Sequence, residues 1–249
     1  MADVMDVMDV TVDRGARVDT SEVKHEIVTA IRMLESAGLV DMNGHLSYRI
    51  PGTDRVLINS RRASRASLTV DDVVTMDLDG NLVDGEDEPP SEKHIHTSVY
   101  RARDDVHSVL HNHPHWQTVL GIAGLDMQPV FSIGSFVEEG TPVYETSSLV
   151  NTREIGDELA AVLGRSTVAS LRYHGSVVVE SEIQALFARA VYVEENAKKQ
   201  YYASLLGPVT PLRGENLERT RTTNWQPSIA RKVWDYYEQK ARLDGRLPD

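Results

Sequence analysis

Hydrophobic positions in the first part of the chain recur at helical spacing and then at strand spacing. From Ser21 onward, apolar residues return every three or four positions, with Thr20 or Ser21 placed to cap a helix and Gly38 to end it. The segments HLSYRI and RVLINS flank the turn PGTD, and VVTMDL and NLV flank Asp79-Gly80. Short apolar runs around such turns are typical of hairpins. The pattern therefore predicts a helix followed by antiparallel strand pairs.

In the rest of the chain, helical and strand patterns alternate. After Pro89-Pro90, Ser91 is placed to cap a helix to about residue 103, VHSVLHNH follows as a strand, and Pro114 opens another helix. NTREIGDELAAVLG then predicts a helix, VASLRYH and SVVVE predict strands bent at Gly175, and SEIQALFARAVYVEENAKKQYYASLLG predicts a long helix. One more amphipathic helix ends the segment NWQPSIARKVWDYYEQKARL. We expect an α/β fold of α/β/α layers, with a largely antiparallel central sheet flanked by helices.

The domain organisation follows from where periodic apolar faces begin. Residues 1–19 contain the acidic, repetitive MDVMDV and lack such a face, so they predict a disordered tail. Residues 20–249 predict a single domain with a C-terminal helical extension. No stretch approaches the roughly 20 apolar residues of a membrane span, and the acidic start is unlike a secretory signal. We expect a cytoplasmic protein that does not bind membranes.

Charge and cysteine content narrow the chemistry. The net charge of -12 argues against binding of nucleic acid, which requires a basic surface. The chain has no cysteine, so a bound metal ion must be held by histidine, aspartate or glutamate. The nine histidines are therefore the residues to examine for a metal site.

Two histidine pairs have equal spacing but different expected geometry. His111 and His113 lie at the end of a predicted strand, where positions i and i+2 place side chains on one face. His94 and His96 lie on a predicted helix, where the same spacing points side chains roughly 200° apart. The first pair can share an ion, whereas the second cannot.

Two further residues can join the strand pair. Glu92 shares a helix face with His96 at i and i+4, and His174 precedes Gly175, where a tight bend can direct its ring into a cleft. Considered singly, each of these residues is more commonly structural, since a glutamate near a helix start usually serves as a cap or dipole partner. We expect structural or supporting roles for the remaining candidates, which are His94, His96, His107 and His115, with His96 the nearest to the site.

Four motifs together resemble those of the class II aldolase/adducin family. SEKHIHTSVYRARDDVHSVLHNHP resembles the family signature, in which a Ser-Glu pair leads a helix and the next strand ends in His-x-His. NGHLSYR, YHGSVVVE and ARAVYVEENAKKQ resemble three further family segments in the same order. The likeness extends over about residues 20 to 207.

The resemblance implies a catalytic metal site and an oligomer. Its implied ligands are His111, His113 and His174, with Glu92 as a fourth ligand in some states and the acid/base carboxylate in others. One divalent ion per subunit is expected; zinc suits three imidazoles and a carboxylate best, and manganese, iron or cobalt fit the same ligands. Three imidazoles leave an open position for substrate. The family also implies a homo-oligomer, a ring of four with sites at subunit contacts.

The family includes several functions, and the residues where a phosphate would bind discriminate among them. Family aldolases and epimerases act on sugar phosphates, which the aldolases hold with an Asn, a Thr-Gly pair and a Ser-Ser pair. Here His45, Arg61-Arg62 and Pro90-Ser91 stand at those places. Guanidinium groups bind planar carboxylates in a bidentate manner, although RRASR can also be a solvated basic loop. The Gly-His-x-Ser form resembles the branch that decarboxylates dihydroxyphthalate, dihydroxycumate and hydroxypyridine dicarboxylate.

We therefore expect a metal-dependent carboxy-lyase that releases carbon dioxide from a hydroxylated aromatic (di)carboxylic acid, in aromatic catabolism. Glu92 is the first acid/base candidate and His45 the second, while Arg61 or Arg62, with Ser91 nearby, would hold the substrate. Both this reaction and aldol cleavage leave negative charge that a cation can stabilise. The alternatives are a sugar-phosphate aldolase or epimerase and a non-enzymatic adducin-like binding module. The complete metal set disfavours the binding module.

Four aromatic residues near the C-terminus allow two interpretations. They either close an aromatic pocket over a neighbouring subunit's site or simply pack against the domain. An amphipathic helix with aromatic residues on one face more commonly packs. The residues are Trp225, Trp234, Tyr236 and Tyr237.

Overall fold

The computed structural model describes residues 18–137 and 140–247, and it contains one eight-stranded sheet. Residues 1–17, most of the predicted acidic tail, lie outside the described residues. The strands are β1 (His45–Arg49), β2 (Arg55–Asn59), β3 (Val73–Asp77), β4 (Leu82–Asp84), β5 (Ser108–Asn112), β6 (Val143–Tyr144), β7 (Val168–Leu171) and β8 (Gly175–Glu180). Their order is β4-β3-β2-β1-β5-β8-β7-β6, and neighbours are antiparallel except β6 and β7. The predicted, largely antiparallel sheet is confirmed.

Helices cover both faces of this sheet. They are α1 (Thr20–Ser36), α2 (Lys93–Ala102), α3 (His115–Ile122), α4 (Arg153–Leu163), α5 (Ile183–Leu206), α6 (Gly214–Asn224) and α7 (Pro227–Leu243). α1, α3, α5 and α7 contribute to one hydrophobic cluster, and α2 and α4 to a second. The expected α/β/α layering is confirmed.

Alternation along the central strands decides which side chains meet α2. On β5, Val109 belongs to the cluster beneath α2 and α4, whereas Leu110 belongs to the cluster beneath α1 and α5. His111 therefore shares the α2 face with Val109. The register pairs His45 of β1 directly with His111, so both imidazoles lie on that face.

Two helix starts differ from the sequence prediction. The N-cap of α1 is Asp19, whose carboxylate accepts a hydrogen bond from the Ser21 amide at 2.9 Å, rather than Thr20 or Ser21. Helix α2 begins at Lys93, and Glu92 occupies its N-cap position without a capping hydrogen bond from its side chain. The predicted cap, Ser91, lies exposed in the preceding turn. Glu92 does not cap because its carboxylate is bound elsewhere.

The bend before β8 also has a different origin. The predicted bend at Gly175 is instead made by the three residues before it, and Tyr173 adopts a left-handed conformation with φ of 64°. Gly175 is the first residue of β8. Among the described residues, no helix is long and apolar enough to cross a membrane.

Candidate metal centre

The predicted ligands meet at one edge of the sheet. β5 ends and β8 begins at this edge, and the register pairs Asn112 with Ser176. His113 therefore lies just after β5 and His174 just before β8, next to the ends of adjacent strands. The N-terminus of α2 places Glu92 over the same edge, so segments distant in sequence supply one cluster.

The cluster has the dimensions of a metal site. The imidazole centroids of His111, His113 and His174 are 4.9 to 5.0 Å apart. Glu92 Oε2 lies 3.6 Å from His111 Nε2, and its Oε1 lies 3.7 Å from His174 Nε2. One ligand atom from each histidine lies within 4.8 Å of the others. The sequence prediction of these four residues as one group agrees with their placement.

The tautomer of His111 shows that a cation fits between these groups. His111 Nδ1 lies 3.0 Å from the Ser176 carbonyl oxygen, which can only accept, so Nδ1 carries the proton. Nε2 then directs a lone pair at the Glu92 carboxylate, which is also an acceptor. Ligands about 2.0 to 2.2 Å from a tetrahedral zinc ion lie about 3.3 to 3.6 Å apart, close to the observed spacing.

Burial keeps the three rings in the form that binds metal. Among the described residues, His111 Nε2, His113 Nε2 and His174 Nδ1 are buried without a hydrogen-bond partner. Burial lowers the pKa of His113 and His174, and it lowers the pKa of His111 well below its ordinary value. Neutral imidazoles are metal ligands, and an ion bound beside Glu92 would satisfy the otherwise unpaired Nε2 of His111.

The environment of Glu92 suits an acid/base role. Burial raises the pKa of its carboxyl, opposed by a hydrogen bond from the Val150 amide and by His113. The Val150 amide donates to Glu92 Oε1 at 3.0 Å. A carboxyl with a raised pKa is closer to exchanging a proton near neutral pH.

Asn112 fixes the strand end, and sequence reasoning missed this role. Its Nδ2 donates to the Leu39 carbonyl at 3.0 Å, and Ser176 Oγ donates to its Oδ1 at 2.7 Å. These bonds join β5 to β8 and to the segment after α1. The only signal in the sequence was its place between His111 and His113.

Gly175 gives the clearest packing requirement at this edge. A Cβ atom there would clash with the Asn112 carbonyl oxygen and lie 2.8 Å from His113 Cδ2. We expect Gly175→Ala to lower the free energy of unfolding by about 1 to 3 kcal/mol and to weaken metal binding, because His113 must move. Thermal denaturation and metal titration measure both effects. Gly121→Ala is the control, since a Cβ there meets no atom within 4 Å; equal behaviour of the two variants would contradict the expectation.

The structure separates the other predicted site residues. His45 is 5% exposed, its ring centroid lies 5.1 Å from that of His111, and one of its nitrogens lies within 4.8 Å of ligand atoms of His111 and Glu92. Arg61 and Arg62 follow β2 at the same sheet edge, and both are exposed. Arg62 lies beside Asp87, at 3.8 Å. His45 therefore belongs to the cluster, while the arginines lie at its periphery.

Arg65 completes the RRASR segment and was not predicted. It is 5% exposed and donates to the backbone carbonyls of Gly44 at 3.0 Å and Ser60 at 3.2 Å, and to that of Ala63. Its guanidinium is thus occupied in fixing the loop beside His45.

The C-terminal aromatic residues mainly pack. Trp234 is buried, with its ring centroid 5.7 Å from that of Phe187, and Tyr237 lies 5.3 Å from the same ring. The ring centroids of Trp225 and Phe136 lie 5.3 Å apart. Only Tyr236 of the four is exposed. The packing interpretation is confirmed for Trp234, which cannot line a pocket over a neighbouring site.

The fold and the three-histidine site define the class of protein. Residues 25–201 match the family described as Class II Aldolase and Adducin N-terminal domain, and the chain belongs to this family. A 3,4-dihydroxyphthalate decarboxylase from Arthrobacter keyseri is 32% identical over 187 residues, covering 69% of this chain and 74% of that protein. An L-fuculose phosphate aldolase from Methanocaldococcus jannaschii is 28% identical over 148 residues, covering 58% and 77%. The chain is a lyase.

Solved structures support the same fold. An L-fuculose 1-phosphate aldolase aligns with a TM-score of 0.77 at 24% identity, covering 84% of this chain and 99% of that one. An aldolase II superfamily protein from Pseudomonas syringae aligns with a TM-score of 0.79 at 21% identity, covering 92% and 96%. At these identities the likeness establishes the fold and leaves the substrate to the residues of the site.

Proposed function

We propose that this lyase is a metal-dependent decarboxylase that removes carbon dioxide from a hydroxylated aromatic (di)carboxylic acid of the dihydroxyphthalate type. The decarboxylase relative named above supports this proposal. The observation that carries it is the buried imidazole of His45 opposite His111. An amide at this position would help to hold a sugar phosphate in the family's aldolases.

The charged side chains at this edge determine which groups are available to an anionic substrate. Burial lowers the pKa of His45 well below its ordinary value, so its ring adds no positive charge. Arg65 donates to backbone carbonyls and is not available to an anion. Arg61 and Arg62 are exposed, and their planar guanidinium groups match a carboxylate and a phosphate alike. The choice of a carboxylate therefore rests on His45 and on the decarboxylase relative.

His111, His113 and His174 would hold the divalent ion, with Glu92 beside it. When bound, the ion supplies Lewis-acid stabilisation of negative charge on the substrate's oxygen atoms. We propose zinc, because three imidazoles and a carboxylate suit it best. Elemental analysis of protein purified without chelators tests this assignment, and a stoichiometric content of another metal would overturn it.

Glu92 is the proposed acid/base residue. Protonated Glu92 donates its proton to the ring carbon that bears the leaving carboxylate, using an electron pair of the hydroxylated ring. The bond between that carbon and the carboxylate then breaks, its electrons restore aromaticity, and carbon dioxide leaves. The proton replaces the carboxylate, and Glu92 regains a proton from solvent. Arg61 or Arg62, together with Ser91, would hold the carboxylate that stays.

A paired assay distinguishes the two candidate reactions. Purified protein is given a dihydroxyphthalate in one arm and dihydroxyacetone phosphate with an aldehyde in the other. We expect carbon dioxide to form in step with loss of the aromatic acid, and phthalate without hydroxyl groups to remain unchanged. Turnover of the sugar phosphate alone would refute the decarboxylase proposal and favour an aldolase. The similarity of this chain to the L-fuculose phosphate aldolase would then indicate the reaction.

The role of the exposed arginines is tested by the Michaelis constant. We expect Arg61→Gln or Arg62→Gln to raise KM about 10-fold or more, because a charge-assisted bond to carboxylate contributes roughly 1.5 to 3 kcal/mol. The kcat should change less, since the contact is present before and during the reaction. Arg55→Gln, on β2, is the control. An unchanged KM in both variants would show that Arg61 and Arg62 do not bind the substrate and belong to a solvated basic loop.

We also propose a homotetramer with sites at subunit contacts. Four large apolar residues on α5 and α7 are exposed, and their burial at subunit contacts would support association. They are Leu205, Leu206, Tyr236 and Leu243. Light scattering coupled to gel filtration measures the mass, and an active monomer would exclude the assembly.

A further inference from the structure

A buried chain of hydrogen bonds leads from α2 to the metal centre. His45 Nδ1 lies 2.6 Å from His96 Nε2, and His96 Nδ1 lies 2.6 Å from Ser47 Oγ. Ser47 Oγ lies 2.7 Å from the Tyr100 hydroxyl. Each of the four side chains is at most 5% exposed. The direction of these bonds determines which nitrogen of His45 carries a proton.

The far end of the chain fixes that direction. The Tyr100 hydroxyl donates to the His107 carbonyl oxygen at 3.2 Å. A carbonyl oxygen has two lone pairs and no proton, so it accepts from Tyr100 as well as from the Arg49 amide, which lies 2.8 Å away. With its single proton used there, Tyr100 can only accept from Ser47.

The remaining bonds follow in sequence. Ser47 donates to Tyr100, so His96 must donate from Nδ1 to Ser47. His96 Nε2 is then a bare acceptor, and His45 donates to it from Nδ1. If every bond ran the other way, Tyr100 would donate its only proton to Ser47. The hydrogen bond from Tyr100 to the His107 carbonyl oxygen would then be lost, so the network would contain one hydrogen bond fewer. In buried networks the fully satisfied arrangement is strongly preferred.

Both rings are neutral in this arrangement. His45 is 5% exposed, and its ring centroid lies 4.8 Å from that of His96 and 5.1 Å from that of His111. A second positive charge among these buried rings would be costly. Burial lowers the pKa of His96 to about 3. A neutral imidazole with its proton on Nδ1 has a lone pair on Nε2.

We propose that Tyr100, Ser47 and His96 are positioning residues that fix His45 with its proton on Nδ1, so that Nε2 accepts a hydrogen bond from a substrate hydroxyl at the metal centre. Because Nδ1 is bonded to His96, Nε2 is the nitrogen left for substrate. Calling the donor a ring hydroxyl rests on the proposed function; the tautomer does not. The site thus selects aromatic acids with a free hydroxyl group and disfavours their methyl ethers.

Nitrogen-15 NMR of histidine-labelled, zinc-loaded protein tests the tautomer, because a bare ring nitrogen resonates far from a protonated one. His45→Gln identifies the His45 signals. We expect a protonated Nδ1 and a bare Nε2 in the unaltered protein. Tyr100→Phe and Ser47→Ala each break the hydrogen-bond chain that fixes the direction of the bond between His96 and His45. The His45 proton should then move from Nδ1 toward Nε2. Tyr144→Phe is the control, since its hydroxyl bonds Glu158 at 2.7 Å on the exposed surface.

The outcomes are decisive even if one variant does not fold. A protonated Nε2 on His45 in the unaltered protein overturns the proposal. An unchanged His45 tautomer in folded Tyr100→Phe or Ser47→Ala protein also overturns it. We expect kcat/KM for a hydroxylated acid to fall about 10-fold in Tyr100→Phe, in line with outer-shell substitutions. Failure of decarboxylation would refute the proposed function while leaving the NMR result intact.

Discussion

Replacing His111 with alanine is expected to remove the bound metal and to lower kcat/KM by about 10³-fold or more, since a preorganised charge-stabilising centre contributes at least that much. His111 is fully buried and belongs to both groups of side chains that can hold an ion. Its tautomer, fixed by the Ser176 carbonyl, directs a lone pair at the ion position.

The measurement combines metal content by elemental analysis with steady-state kinetics. His115→Ala is the matched control, because His115 lies two residues beyond His113 but is exposed at the start of α3. Thermal denaturation shows whether the His111→Ala variant remains folded, since a cavity accompanies the lost ring. Activity with a folded, metal-free variant would show that the reaction does not use the centre.

Local patterns predicted only part of the candidate metal cluster. Strand alternation predicted His111 and His113 on one face of the sheet. Only a short segment separates Glu92 from β5, so the start of the predicted helix has to lie near the same strand. These relationships depend on residues close in sequence, for which strand and helix periods give direct geometry. Joining His174 to them required the family resemblance, because its position depends on the pairing of β5 with β8.

The supporting contacts depend on long-range pairing and were not predicted. The chain from Tyr100 to His45 exists because β1 lies beside β5 and beneath α2, which no local period specifies. The burial of Arg65 was likewise not predicted from the sequence, since basic loops are commonly exposed. The short helix α6 was missed because only Leu217 of its residues is buried, which leaves no apolar stripe to recognise.

Replacing Glu92 with glutamine is expected to separate catalysis from metal binding. Glutamine is nearly isosteric, and its side-chain oxygen can still accept from the Val150 amide, so the turn before α2 should remain in place. An amide cannot donate and regain a proton near neutral pH. We expect kcat/KM to fall by about 10² to 10⁴-fold, the usual contribution of general acid–base catalysis.

Metal content should stay close to that of the unaltered protein, because the three imidazoles remain. This contrasts with His111→Ala, in which metal and activity are lost together. Glu154→Gln, on the exposed start of α4, is the control for loss of a carboxylate elsewhere. Loss of metal in proportion to activity would assign Glu92 as a required ligand. Turnover within a few-fold of the unaltered protein would exclude Glu92 as the acid, and the proton would then have to come from another group at the open side of the centre.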